Sequence, residues 1–211
     1  MNKDLTKIVV VLDSSGSMHS CKNDTEQGLR YFIEQQKEKP GKCVLSLYEF
    51  DNRYRVVYDS VPLEFIEKNY SFHPAGGTAL LDALGAAIEQ TGKKLAETPE
   101  QDRPGLVVFV VLTDGEENSS RSFSNEKVRE MIQHQQDVYK WQFTFLGADQ
   151  DSFVNAGQLG FKYESVANFS KDKMLRAYQA VDNNIGRMRS MSASNLDVDS
   201  YYTPDEQKDI I

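Results

Sequence analysis

Five oxygen-bearing side chains lie at positions in the sequence that could hold a divalent cation. The stretch VVVLDSSGSMHS ends an apolar run with Asp13, Ser15 and Ser17, Thr78 follows a glycine pair in AGGTAL, and Asp114 follows a second apolar run in LVVFVVLTDG. Hard cations such as Mg²⁺ and Mn²⁺ prefer oxygen ligands, and short side chains fix those oxygens in place. Because two carboxylates would leave almost no net charge around a dication, such a site can accept one more anion.

The elements that must position these residues follow an α/β pattern. Strand-like runs occur at 7–12, 43–50, 53–60, 106–112, 142–147 and 162–167, and helical patterns at 24–38, 80–95, 125–138 and 171–189. This alternation predicts a doubly wound, mostly parallel six-stranded sheet with helices on both faces. Only Asp51 and Asn52 separate the second run from the third, so these two form a hairpin with one antiparallel edge strand. The oxygen-bearing residues would then share the carboxyl edge of the sheet, where such folds bind ligands.

The last part of the chain differs from the rest in composition. After residue 189 the helical periodicity ends, and Ser, Asn and Asp become frequent. Thr203, Pro204 and Glu206 form a capping-box pattern, which predicts a short closing helix to Ile211. We therefore expect one domain over 1–189 and a tail over 190–211.

Composition restricts the classes of partner and the compartment. The 24 basic and 32 acidic residues give a formal net charge of −8, which argues against nucleic acid as the main ligand. The apolar segment near the N-terminus is too short for a signal peptide or a membrane span. Cys21 and Cys43 lack metal-ligand spacing, so we expect reduced thiols in a cytoplasmic protein that does not bind membranes. The sequence leaves the oligomeric state open.

The ordered set of three oxygen-bearing loops resembles the metal-ion-dependent adhesion site of von Willebrand factor type A domains. In that family a Rossmann-like sheet carries Mg²⁺ or Mn²⁺ on its carboxyl edge, and a carboxylate of a protein partner completes the coordination. By this resemblance Asp13, Ser15 and Ser17 form the first loop of the site. Thr78 forms the second loop and Asp114 the third. The resemblance thus implies a metal-dependent protein-binding module, not an enzyme, whose partner presents an Asp or Glu.

The resemblance extends over about residues 5–189. Within it the segment FLGADQD, at 145–151, is similar to FLGANQD in small intracellular bacterial and phage members of the family. Because we expect no signal peptide, membrane span or additional domain, adhesion outside the cell, as in the animal members, is not implied for this chain.

Two other classes of function remain open. A haloacid-dehalogenase-like phosphatase would use Asp13 as its nucleophile and would also bind Mg²⁺, with Asp149 and Asp151 in the place of the late metal ligands. In that family a general acid stands two residues after the nucleophile, but this position holds Ser15, which cannot act as an acid. No lysine that follows a strand is evident in the sequence. The third class is a structural or assembly component without a functional metal.

Several polar residues near the predicted site have simpler interpretations. Serine and aspartate after a strand are, taken alone, more typical of helix caps than of metal ligands. We expect Asp51 to be a hairpin residue, and Glu116 and Glu117 to lie on the rim of the site. His19 and His73 have no second histidine or cysteine at ligand spacing, so we expect both to be exposed rim residues.

Overall fold

The central strand is β1 (Asn2–Asp13), which is covered on both faces. Successive side chains of a strand point to opposite faces of the sheet. Ile8 and Val10 accordingly belong to one hydrophobic core, and Val9 and Val11 to the other. The unbroken run of β-branched residues is thus explained by burial on both sides. The computed structural model describes residues 1–67, 69–148 and 152–211.

The sheet has six strands in the described part of the chain. The other five strands are β2 (Lys42–Phe50), β3 (Tyr54–Pro62), β4 (Pro104–Thr113), β5 (Gln142–Gly147) and β6 (Val166–Asn168). Their order is β3-β2-β1-β4-β5-β6, and every neighbouring pair is parallel except β2 and β3. The predicted doubly wound sheet with one antiparallel edge strand is confirmed.

Helices cover both faces of this sheet. They are α1 (Lys22–Glu38), α2 (Leu80–Glu97), α3 (Asn125–Tyr139), α4 (Ser152–Gln158), α5 (Met174–Ala193) and α6 (Pro204–Ile210). Buried side chains of α1, α5 and α6 belong to one core, and those of α2, α3 and α4 to the other. None of the helices within the described ranges is both long and apolar enough to cross a membrane.

Several elements differ from their predicted bounds; strand β1, for example, begins at Asn2 instead of residue 7. The sixth strand was predicted over 162–167, but β6 begins only at Val166, because Tyr163–Ser165 form a tight turn in which the Ser165 N–H donates to the Lys162 carbonyl at 3.0 Å. Helix α5 continues past residue 189 to Ala193. Backbone hydrogen bonds close the additional turn, because the Ser194 N–H donates to the carbonyls of Ser190 and Met191, each at 3.1 Å.

The C-terminal segment packs against the domain. Thr203 and Glu206 form the capping box at the start of α6, in which each side chain bonds the other residue's backbone N–H. Arg187 of α5 donates to both Glu206 carboxylate oxygens, and Ile210 is fully buried. The Ser170 N–H also donates to the Ile210 carbonyl at 2.6 Å. Helix α6 thereby fixes the backbone just before α5.

Both cysteines are buried free thiols. Neither Cys21 nor Cys43 takes part in a disulfide. Burial raises the pKa of Cys43 to about 12. Because the thiolate is the reactive form, the Cys43 thiol is inert at neutral pH.

The sheet reverses its strand order between β1 and β4. From β1 the chain adds β2 and β3 on one side, and then β4, β5 and β6 on the other. In open α/β sheets the carboxyl ends of the strands at such a reversal border a crevice that binds ligands. Asp13 ends β1 at this point, and Asp114 directly follows β4.

Candidate metal centre

The chain leaves β1 through a turn that brings two serine hydroxyls together. The Ser15 N–H donates to Asp13 Oδ1 at 2.7 Å, which curls the backbone immediately after the strand. Ser15 Oγ then lies 3.0 Å from Ser17 Oγ. Asp13 and Ser15 are buried, whereas Ser17 is exposed at the start of the 3₁₀ turn Gly16–Cys21. The first loop therefore presents its hydroxyls at the end of the strand.

Hydrogen bonds hold both carboxylate oxygens of Asp13. In addition to the bond from Ser15, the Thr113 hydroxyl donates to Asp13 Oδ2 at 2.5 Å. Burial raises the pKa of Asp13, the hydrogen bonds from Thr113 and Ser15 lower it in part, and the nearby Asp114 charge raises it further. Thr113 was not singled out in the sequence, because a threonine at the end of a strand reads as an ordinary β-branched residue.

Backbone hydrogen bonds connect the second loop to its neighbours. The Thr78 N–H donates to Asn118 Oδ1 at 2.9 Å, and the Thr78 carbonyl accepts from the N–H groups of Asn118 and Ser119 at 3.0 and 3.3 Å. The Gly16 N–H donates to the Gly76 carbonyl at 3.1 Å. Gly76 has φ +74°, a conformation that glycine adopts without strain. The glycine pair before Thr78 thus lets the second loop contact the first.

Thr78, Ser17 and Asp114 border the same space at the sheet edge. A Cβ atom added to Gly115 would lie 3.4 Å from Thr78 Oγ1 and 3.8 Å from Ser17 Oγ, so the missing side chain keeps this space open. The Ser17 hydroxyl donates to Asp114 Oδ1 at 2.6 Å. The structure thus brings the three predicted loops to one edge, with Asp13 and Ser15 joined to this group through Ser17.

The second carboxylate oxygen of Asp114, Oδ2, is buried and lacks a hydrogen bond in the described part of the chain. Its nearest charge is the ammonium group of Lys171, whose Nζ lies 2.5 Å away in an ion pair that lacks hydrogen-bond geometry. A buried carboxylate requires a counter-charge, and in this structure the Lys171 ammonium supplies it. An oxygen-rich site with an unsatisfied anionic oxygen fits a hard divalent cation.

The donor set does not fit a soft metal. The described ranges contain no group of three or more His, Cys, Asp or Glu side chains placed to hold a metal ion. The oxygens at the sheet edge come instead from two carboxylates and from the hydroxyls of Ser15, Ser17 and Thr78. Hydroxyl and carboxylate oxygens are the ligands that Mg²⁺ and Mn²⁺ prefer, whereas soft metal ions prefer the sulfur of cysteine.

The position of Lys171 corrects one statement made from the sequence. No lysine after a strand was evident from the sequence, yet Lys171 follows β6 and contacts Asp114. No local pattern marks this lysine, because it enters the site only through the packing of the turn Lys171–Lys173 beside the first loop. Its Nζ also lies 3.5 Å from the Ser17 carbonyl. Asp149 and Asp151, the possible late ligands of a phosphatase, lie outside the described residues.

The remaining polar residues of this edge have the following positions. Asp51 is a hairpin residue, and its Oδ1 accepts the Arg53 N–H at 2.9 Å. His19 and His73 are exposed, as is Glu116.

Glu117 braces the loops instead of offering a free charge at the rim. One carboxylate oxygen accepts the N–H groups of Ser119 and Ser120 at 2.9 and 2.7 Å, and the other accepts the Leu81 N–H at 2.9 Å. Glu117 therefore ties the third loop to the first turn of α2. These contacts do not support the expectation that Glu117 is simply a rim residue.

A cavity of about 270 Å³ borders the third loop. Thr113 and Gly115 form the wall that it shares with the candidate site. Its apolar lining comes from Leu80, Leu81, Phe145 and Leu159, and its polar lining from Glu116, Glu117, Asn125, Asn155 and Gln158. The candidate site therefore opens beside a mixed apolar and polar surface.

Solved structures of other proteins, and not their sequences, identify the fold of this chain. No protein-family model matches the chain, and no curated protein matches it. Proximal thread matrix protein 1 of the mussel byssus, solved with a zinc-occupied MIDAS motif, is similar with a TM-score of 0.60 at 18% identity over 86% of this chain and 46% of that chain. A von Willebrand factor type A protein from Catenulispora acidiphila has a TM-score of 0.60 at 16% identity over 86% and 43%, respectively. The manganese-loaded TRAP protein of Plasmodium vivax has a TM-score of 0.57 at 14% identity over 86% and 74%.

The present chain spans less than half the length of the first two of these structures. At such low identities the likeness establishes the fold alone. It confirms the fold that the sequence resemblance implied.

Proposed function

Because the chain has the von Willebrand factor type A fold, we propose that it is a divalent-metal-dependent protein-binding module. The single observation that carries this proposal is the buried Asp114 Oδ2, which lacks a hydrogen-bond donor among the described residues and lies beside the hydroxyl group of Ser17. The strand reversal between β1 and β4 supports it, since ligands bind there in open α/β sheets.

The five residues have different roles in this proposal. Ser15, Ser17 and Thr78 offer hydroxyl oxygens, and Asp114 offers a carboxylate oxygen that receives no hydrogen bond from the residues in the described ranges. Asp13 contributes negative charge, but its two oxygens are already held by Ser15 and Thr113. We therefore assign Asp13 mainly to charge balance and to the shape of the first loop.

A bound Mg²⁺ or Mn²⁺ would supply a positive centre with room for an anionic ligand. The two carboxylates balance a dication, and the serine and threonine hydroxyls add no charge, so an Asp or Glu of a partner is the preferred additional ligand. Helix α2 begins at Leu80, two residues after Thr78, and its N-terminus favours an incoming anion. The net charge of −8 further favours a protein over a nucleic acid as partner.

Calorimetric titration with Mn²⁺ tests the metal centre. We expect one Mn²⁺ per wild-type chain, and an affinity at least about tenfold lower for Thr78→Ala, which corresponds to about 1.4 kcal/mol. Thr98→Ala is the matched control, because Thr98 follows the opposite end of α2 and its hydroxyl donates to the Lys94 carbonyl at 2.7 Å. Equal Mn²⁺ binding by wild type and Thr78→Ala would rule out this site.

Affinity capture tests whether a partner depends on the metal. Wild-type protein is used as bait with Mg²⁺ and with chelator, and Thr78→Ala is used with Mg²⁺. We expect one protein to be retained only by wild type with Mg²⁺, and a soluble carboxylate such as glutamate to compete at high concentration. A partner retained equally under all conditions would show that recognition uses another face.

A phosphatase is the second candidate, favoured only by the lysine beside the carboxylates. Asp13 is fully buried and both of its oxygens accept hydrogen bonds, so it is poorly placed as a nucleophile, and Ser15 cannot act as the general acid. We therefore expect no hydrolysis of an aryl phosphate with Mg²⁺. Turnover that is lost in Asp13→Asn would support the phosphatase and contradict the binding module.

A further inference from the structure

Lys171 places a positive charge on the carboxylate oxygen that the proposed metal would use. Its Nζ lies 2.5 Å from Asp114 Oδ2 and 3.5 Å from the Ser17 carbonyl. We propose that the Lys171 ammonium and the divalent cation compete for Asp114, so that cation binding requires the lysine side chain to leave. This inference rests on the proposed metal centre and adds a residue that sets its cation affinity.

The electrostatics of the site make simultaneous occupancy unfavourable. The Asp114 side chain is 0% exposed, so its charge is little screened by water and needs a counter-charge. Either a lysine ammonium or a metal ion provides that charge. Two cations on the same oxygen would repel each other strongly at this distance. Binding of one therefore lowers the affinity for the other.

The Lys171 side chain can leave without a change in the backbone. It is 38% exposed and has a long flexible stem, so solvent is directly accessible to it. The backbone on either side is held independently: the Ser170 N–H donates to the Ile210 carbonyl at 2.6 Å, and the Lys173 N–H donates to the Ser170 carbonyl at 2.8 Å. The exchange is thus a rotation of one side chain on a fixed turn.

This competition has a functional consequence. Without the divalent cation, Lys171 neutralises Asp114 and stabilises the folded loops. The divalent cation must then displace the Lys171 ammonium from Asp114. This competition lowers the apparent affinity of the site for the cation. Lys171 therefore sets the Mg²⁺ or Mn²⁺ concentration at which the partner surface becomes complete.

Mn²⁺ titrations of two matched variants test the competition. Lys171→Met removes the ammonium and keeps the aliphatic stem, and we expect Mn²⁺ to bind about tenfold more tightly, the factor that corresponds to one charged contact on a buried carboxylate. Lys173→Met removes the same charge two residues further along the turn, where Nζ contacts Ile211 instead of Asp114. We expect its Mn²⁺ affinity to remain within about twofold of wild type, because exposed charges are well screened.

Thermal unfolding gives a second readout that does not depend on the titration. In chelator, Lys171→Met should melt below wild type, because Asp114 loses its counter-charge. In saturating Mn²⁺ the difference should vanish or reverse. Lys173→Met should show no such dependence on the metal.

Failure of this inference can be told apart from failure of the metal centre. If wild type binds Mn²⁺ but Lys171→Met does not bind it more tightly, the competition is wrong and the metal centre stands. If both lysine variants bind Mn²⁺ more tightly by the same factor, the effect comes from the loss of any nearby positive charge. The specific contact between Lys171 and Asp114 is then not its cause, and the competition is wrong. If neither wild type nor Lys171→Met binds Mn²⁺, the metal centre and the competition are both wrong.

Discussion

Removal of the Thr113 hydroxyl should destabilise the fold even without a metal. This hydroxyl donates to Asp13 Oδ2 at 2.5 Å and accepts the Gly115 N–H at 3.2 Å, so it joins the end of β1 to the third loop. Both Thr113 and Asp13 are buried. Thr113→Val keeps the β-branched shape and the preference for a strand, and removes only the polar group.

The expected magnitude follows from the charge of the acceptor. A hydrogen bond to a charged group contributes roughly 1.5 to 3 kcal/mol, so the free energy of unfolding should fall by about 2 kcal/mol. For a chain of this size about 1 kcal/mol changes Tm by roughly 2 to 4 °C, which predicts a decrease of roughly 4 to 8 °C. Urea unfolding and thermal scans in chelator measure both quantities.

Two control variants make this prediction specific. Thr113→Ser keeps the hydroxyl and should retain most of the stability. Thr91→Val makes the same chemical change in α2, where the buried Thr91 hydroxyl has no hydrogen-bond partner among the described residues, and it should be neutral or stabilising. Equal losses of stability for Thr113→Val and Thr91→Val would refute the role assigned to the hydrogen bond.

Three further predictions concern stability away from the site. Burial lowers the pKa of Lys7 from 10.5 to about 8. The buried ammonium therefore lowers the free energy of unfolding at pH 7, and this loss disappears as the pH rises from 8 to 10.5. Lys7→Met should therefore raise the free energy of unfolding by roughly 1 to 3 kcal/mol at pH 7 in urea titrations, and the gain should shrink towards pH 10.5. Gly28→Ala should destabilise the α1–α5 contact by roughly 1 to 3 kcal/mol, because its Cβ would lie 2.1 Å from a ring carbon of Tyr178. Gly92→Ala, whose Cβ would meet only Trp141 at 4.0 Å, should stabilise α2 by roughly 0.5 to 1 kcal/mol, and equal effects of the two alanines in thermal scans would contradict the packing argument.

Local patterns predicted the parts of the structure that local physics determines. The two residues Asp51 and Asn52 between apolar runs required a hairpin, and Asp51 caps its turn as expected. The spacing of Thr203 and Glu206 predicted a capping box, which begins α6. The alternation of strands and helices predicted which strand ends meet, and hence which loops converge.

Contacts between distant parts of the chain could not be predicted in the same way. Thr113 reaches Asp13 because β1 and β4 pair with Leu12 opposite Leu112, and no sequence pattern fixes that register. Lys171 reaches Asp114 through the packing of a short turn against the first loop. Both residues belong to common types in common positions, so their roles emerge only from the tertiary arrangement.

The most direct test of the metal centre is the anomalous diffraction of crystals grown with Mn²⁺. We expect one strong anomalous peak per chain at the carboxyl edge of the sheet, within about 2.0 to 2.3 Å of oxygens from Ser15, Ser17 and Asp114. The Thr78 hydroxyl should complete this set of oxygens, and the Lys171 ammonium should have left Asp114. A peak at another position, or no peak at a saturating Mn²⁺ concentration, would contradict the assignment of this edge as a divalent-cation site.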